Sequence, residues 1–234
     1  MIRRFYKDVT LTKAAGGFQV MLDKRGVKTV GGAAQIAPTQ ALAEALAAEW
    51  ARQGDKIDPA SLPLRDMADY AIDIVAADPA TVAHGLIAYA ETDTLCYRAD
   101  PDEPLHARQQ EVWEPLLARF EGAHGITLTR VSGIVHRPQP PEALAALKAR
   151  LTALPPFVLA GVEAMTKLAA SLVTALAALD AAHEDEPLAL WQAVCLEEEW
   201  QAELWGRDWE AEERRARREA DFLRACAFAR LARG

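Results

Sequence analysis

The chain has 234 residues, is 51% hydrophobic but only 7% aromatic, and carries a formal net charge of −8. That length suits one large domain or two small ones, with a core that needs neither disulfides nor metals. The acidic balance excludes duplex nucleic acid and an anionic membrane surface as partners, because both require a cationic face.

Three cysteines, Cys96, Cys195 and Cys226, form no paired spacing, which fits a reducing compartment and no zinc site. The start, MIRRFYKD, contains no apolar segment of the kind a secretory signal needs, and strand patterning begins almost at once. The richest apolar run, 168–179, falls short of the roughly 20 residues a membrane span requires. The expectation is a cytoplasmic protein without membrane insertion.

In chain order, residues 1–37 predict a small antiparallel meander. Val9–Thr12 and Phe18–Asp23 alternate about a turn at Gly16–Gly17, and Lys24–Gly26 turns the chain into Val27–Val30. Pro38 stops the strands, and Thr39 is placed to cap a helix carrying Leu42, Leu46 and Trp50 on one face. Helices are predicted near 64–77, 79–89 and 105–120, the last closed by Gly122 and Gly125. Two short strands are expected at 126–128 and 133–136, joining the N-terminal sheet. From Pro141 the pattern is helical to the end, with breaks at Pro155–Pro156, near Asp180, at Glu186–Pro187 and at Gly206. The expected class is therefore α+β: a β-rich part over 1–37 and a predominantly helical domain over 38–234.

No phosphate-binding loop, dinucleotide fingerprint, nucleophile elbow or metalloprotease motif occurs. The five histidines stand too far apart in sequence to form a helical ligand pair. An enzyme reading would have to rest on His84, His106, Cys96 and the acids of 183–186, and a solvated loop explains the last of these. More informative is the segment 196–208. On a helix, Ala193, Leu196, Trp200 and Leu204 form one stripe, with Glu197 at its border, Gln201 one turn later on the same flank, and Glu198 nearly opposite. A carboxylate and an amide beside an apolar face are suited to a partner's backbone or arginine.

Four separated stretches give the chain its likeness to a known family. They are RFYKDV (4–9) with VMLDKRGVKT (20–29); LAEALAAEW (42–50) with IDP (57–59); YAETDTLCYRA (89–99) with WEPL (113–116); and the acidic helix ending in WGRD (205–208). In this order they resemble the ATP synthase assembly chaperones that hold the alpha subunit, numbered twelve among the mitochondrial assembly factors. The chain departs from the family pattern at Ala170-Ser171, where the family has Gly-Ser, and at Glu197, where the family often has aspartate. The absence of a presequence implies a bacterial relative.

The resemblance implies a β-rich N-terminal part followed by an orthogonal helix bundle. It implies no catalytic residue, no cofactor and no metal. The implied partner is the unassembled alpha subunit, whose apolar surface a monomeric chaperone would cover until the beta subunit replaces it. The resemblance places the family's acidic signature at Glu197, and the partner-binding candidates are Glu197, Gln201, Glu198 and Asp208; Trp50, Trp200, Trp205 and Gly206 are expected to be structural. Glu197→Lys is expected to weaken binding with little change in folding, and Glu198→Lys serves as the comparison.

Overall fold

The computed structural model describes residues 2–133 and 135–234. The chain divides into two compact units. Met1–Pro79, Leu154–Gly161 and Ala227–Gly234 form one; Ala80–Ala153 and Val162–Cys226 form the other.

The first unit holds the meander. Strands β2 (Val9–Ala14) and β3 (Gly17–Leu22) pair antiparallel, with Leu11 opposite Val20, and alternation sends Val20 and Leu22 into the core. β4 (Arg25–Gly26) pairs with the end of β3, and β5 (Ile36–Ala37) with its start. Gly17 has a steric reason to be glycine, since a Cβ there would lie 2.0 Å from the Ala37 carbonyl oxygen. Of the third expected strand, 27–30, only a single bridge between Lys28 and Ala34 forms. A separate pair joins β1 (Ile2–Arg3) to β6 (Lys56–Ile57).

Helix α1 (Gln40–Ala51) starts where the sequence places it, with Thr39 Oγ1 accepting from the Leu42 amide at 3.2 Å. Its Leu42, Leu46 and Trp50 are buried. Glu49, only 2% exposed, reaches the start of α2 (Pro63–Tyr70), where its two carboxylate oxygens accept from the Leu64 and Arg65 amides at 2.8 and 2.9 Å. A distant side chain thus does the work of a cap, because Leu62 at the N-cap position has none. Glu49→Ala should therefore cost about 1–3 kcal/mol by leaving buried donors unpaired; denaturant unfolding indistinguishable from the parent would refute this.

The second unit begins within α3 (Pro79–Glu91). α4 (Pro104–His124) runs past Gly122 and is closed by Gly125 in the left-handed region. The strands expected at 126–128 and 133–136 do not form as placed. β7 (Tyr97–Arg98) and β8 (Val131–Ser132) pair in parallel with each other and not with the N-terminal sheet. Residue 134 of the second expected strand lies outside the described residues. Arg130 supports this stretch through ion pairs to Glu114 and Glu121 on α4.

Helices α5 (Pro141–Thr152), α6 (Pro156–Ala169), α7 (Leu172–Leu179), α8 (Glu186–Val194), α9 (Leu196–Trp205) and α10 (Trp209–Arg233) complete the chain. The richest apolar run is mostly α7, buried along seven of its residues. No single helix among the described residues is long and apolar enough to cross a membrane.

Between α6 and α7 the chain turns at Ala170, whose φ of 47° lies in the left-handed region. The turn aims the Ala170 carbonyl at Thr94, which donates to it from its backbone amide (3.2 Å) and its hydroxyl (2.9 Å). A β-carbon is strained there, and glycine is not. Ala170→Gly should raise stability by about 0.5–1 kcal/mol, read as a higher denaturant midpoint; a lower midpoint would refute the strain.

The same junction buries Asp93 completely. Its carboxylate accepts from the Ser171 hydroxyl (2.7 Å) and from the Val173 (2.9 Å) and Leu95 (3.1 Å) amides. Burial outweighs these hydrogen bonds and pushes the carboxyl up to about 6. Because the folded value exceeds the unfolded one, the protonated group stabilises the fold below about pH 4, and that contribution is lost as pH rises through about 6. The stability advantage of the parent over Asp93→Asn should therefore shrink by up to about 3 kcal/mol between pH 4 and 7. A pH-independent gap between the two melting curves would refute this.

Candidate functional site

Most of the singled-out residues gather where α8, α9 and α10 follow one another. α8 and α9 are separate helices that break at Cys195, so the expected stripe is buried only at its start. Ala193 and Leu196 are each 8% exposed, Trp200 is half-buried, and Leu204 is 62% exposed. The end of α8 is pinned by Trp113, whose indole N–H donates to the Ala193 carbonyl at 2.6 Å.

Glu197 is not a free rim carboxylate. It is half-buried and accepts from the side-chain amide of Gln109 at 2.6 Å. Gln109 is itself fully buried, and its amide oxygen accepts from the Ala99 backbone at 2.8 Å. Burial raises the Glu197 carboxyl above its ordinary range, and the Gln109 hydrogen bond opposes the rise. The expectation that folding ignores Glu197 is corrected here: the side chain anchors α9 to α4.

Glu198 is exposed and pairs with Arg218 of α10 at 2.8 Å, while Arg218 also stands 5.3 Å over the Trp191 ring. Glu199 is gripped by Arg207 at 3.0 Å and Arg215 at 2.8 Å. Arg207 reaches on to Glu212 at 3.2 Å, bracing the turn from α9 into α10. Gly206 makes that turn at φ 96°, and its amide donates to the Ala202 carbonyl at 3.0 Å. Asp208 opens α10 by accepting from the Ala211 amide at 3.2 Å. Gln201 is exposed and lines a shallow cleft with Trp205 and Asp208.

On this braced corner three large apolar side chains face solvent: Leu204 at 62%, Trp205 at 79% and Trp209 at 71%. Trp205, expected to be structural, is thus not part of any core, because α9 carries its C-terminal turn out of the packed region. Trp50 does lie in the first unit's core, at 8% exposure. Trp209 had no place in the sequence-based site, and Leu204 entered it only as the last member of the stripe. The available signal was two tryptophans four residues apart amid acids, a setting in which apolar side chains have no core to enter.

The cysteine of the rival enzyme reading is not placed to react. Cys96 is fully buried with its thiol pushed up to about 12, mainly by desolvation, the reverse of a reactive cysteine. Among the described residues, no group of three or more His, Cys, Asp or Glu side chains is placed to hold a metal ion.

Leu204, Trp205 and Trp209 thus form an exposed apolar corner of the kind a partner's surface can cover. The family model described as ATP12 chaperone protein matches residues 3–121. The fold superposes on Atp12 from Paracoccus denitrificans with a TM-score of 0.93 at 36% identity, covering 99% of this chain and 98% of that one. An aspartate-to-lysine mutant of the same Atp12p matches equally well. A protein of Agrobacterium tumefaciens with a provisional chaperone designation matches with a TM-score of 0.90 at 36% identity, over 99% of this chain and 85% of that one. The chain belongs to the ATP12 chaperone family, the family of ATP synthase assembly chaperones that its sequence resembles. It is a chaperone and not an enzyme.

Proposed function

We propose that this protein acts in the bacterial cytoplasm as a monomeric holder of the unassembled alpha subunit of the ATP synthase catalytic head. The observation that carries this reading is the braced corner bearing Leu204, Trp205 and Trp209, each more than half exposed. Soluble chains seldom leave such aromatic surface uncovered unless a partner covers it. Gln201 and Asp208 line the cleft beside Trp205 and are the polar groups next to the apolar ones, while Glu197 is proposed to contribute from the α4-facing side of α9 and Glu198 is taken up by Arg218. Binding covers aggregation-prone surface of the alpha subunit, and the beta subunit later displaces the chaperone by competing for that surface.

The test is suppression of alpha-subunit aggregation by the parent and by a Trp205→Ser/Trp209→Ser double variant. The variant should melt within about 0.5 kcal/mol per site of the parent, because both rings are solvent-facing. It should lose most of its protective effect. Full protection by the double variant would overturn this corner as the holding surface.

A further inference from the structure

We propose, on the reading that this protein holds the alpha subunit, that a cleft beside Trp200 receives an arginine or lysine side chain projecting from the client's apolar surface, with Glu203 as its counter-charge. The cleft has a volume of about 340 Å³ and lies between α4, α8 and α9. Val112, Ala189, Ala193 and Leu196 give it an apolar lining, the half-buried Trp200 stands beside them, and Glu203 contributes a carboxylate.

The charge pattern of the corner singles out Glu203. All five arginines within 207–218 are matched: Arg207 and Arg215 by Glu199 and Glu212, Arg214 by Glu210, Arg217 by Glu213, and Arg218 by Glu198. The acids of 197–213 outside these pairs are Glu197, Glu203 and Asp208. Glu197 is engaged by Gln109, and Asp208 caps α10. Glu203 is exposed and has no hydrogen bond or ion pair among the described residues. The other charged groups bordering the cleft are already committed: Arg108 pairs with Glu111 at 2.6 Å, and Glu199 is held by Arg207 and Arg215.

An apolar floor with one uncommitted carboxylate matches a side chain that is apolar along its stem and cationic at its tip. The indole of Trp200 adds a favourable face for the same cation. An acidic or purely aliphatic client side chain would leave Glu203 unmatched or repelled.

Titration calorimetry with purified alpha subunit tests the assignment, using the parent, Glu203→Gln, Glu203→Arg, and Glu213→Gln as a comparison outside the cleft. Glu203→Gln should bind about three- to tenfold more weakly and lose affinity less steeply as salt rises from about 50 to 300 mM. Glu203→Arg should bind about a hundredfold more weakly or worse, through repulsion. Glu213→Gln should match the parent. If the parent holds the alpha subunit and Glu203→Gln keeps both its affinity and its salt dependence, the cleft assignment is overturned while the holding function stands. If the parent does not hold the alpha subunit at all, the underlying reading fails instead. A change in chaperone self-association on Glu203→Gln, with alpha binding intact, would make the occupant a second copy and also overturn the assignment.

Discussion

Trp50→Arg is expected to lower the melting temperature by on the order of 10 °C or more and to reduce soluble yield sharply. The indole is 8% exposed and ends the buried Leu42/Leu46/Trp50 stripe of α1. Tyr6 meets it edge-on with centroids 5.9 Å apart, and the Tyr6 hydroxyl donates to the Trp50 carbonyl at 2.6 Å. Removing a buried indole costs about 3–5 kcal/mol, and an arginine would add an unpaired buried cation. Trp50→Phe separates shape from polarity. The Trp50 indole N–H is buried with no hydrogen-bond partner among the described residues, so phenylalanine removes an unsatisfied donor and should cost much less than arginine. Should Trp50→Arg melt like the parent yet fail to hold the alpha subunit, the residue belongs to the interface and not to the core.

Glu197→Lys is expected to weaken binding of the alpha subunit by several hundredfold or more, within the roughly 2–5 kcal/mol typical of a lost charge at an interface plus repulsion. The structure adds a cost that α9 considered alone would not show. Lysine removes the acceptor from the fully buried Gln109 amide, so the variant should also lose about 1–3 kcal/mol of stability. Glu197→Gln separates the two effects, since its amide oxygen can still accept from Gln109. It should melt close to the parent and bind the alpha subunit with intermediate affinity. Glu198→Lys breaks only the exposed pair with Arg218, worth about 1 kcal/mol or less, and should bind nearly normally. Equal binding losses at 197 and 198, or parental binding by Glu197→Lys, would remove Glu197 from the interface.

Local signals decided much of the architecture. The alternating strands around Gly16–Gly17, the Thr39 cap and the Leu42/Leu46/Trp50 stripe all appear where the sequence places them, because each depends on neighbours within a few residues. The chain after Pro141 is helical as expected, with the further breaks at Ala170 and Cys195 that the sequence pattern did not mark. The α+β class and the family resemblance were legible from the same stretches.

What the sequence could not settle depends on residues far apart in the chain. β8 pairs with β7 across 34 residues and not with the N-terminal sheet, because a two-residue strand has too little pattern of its own to name a partner. The Ala170 turn is a residue type that does not announce a left-handed backbone, and its support comes from Thr94. The helical periodicity of 193–204 was legible, but a stripe says only which side chains share a face. It does not say how far along the helix that face stays covered. Tertiary packing covers Leu196, half-covers Trp200 and leaves Leu204, Trp205 and Trp209 in solvent, and it turns Glu197 inward to a glutamine 88 positions earlier. Burial is set by what packs against a face, and that is a property of the whole fold.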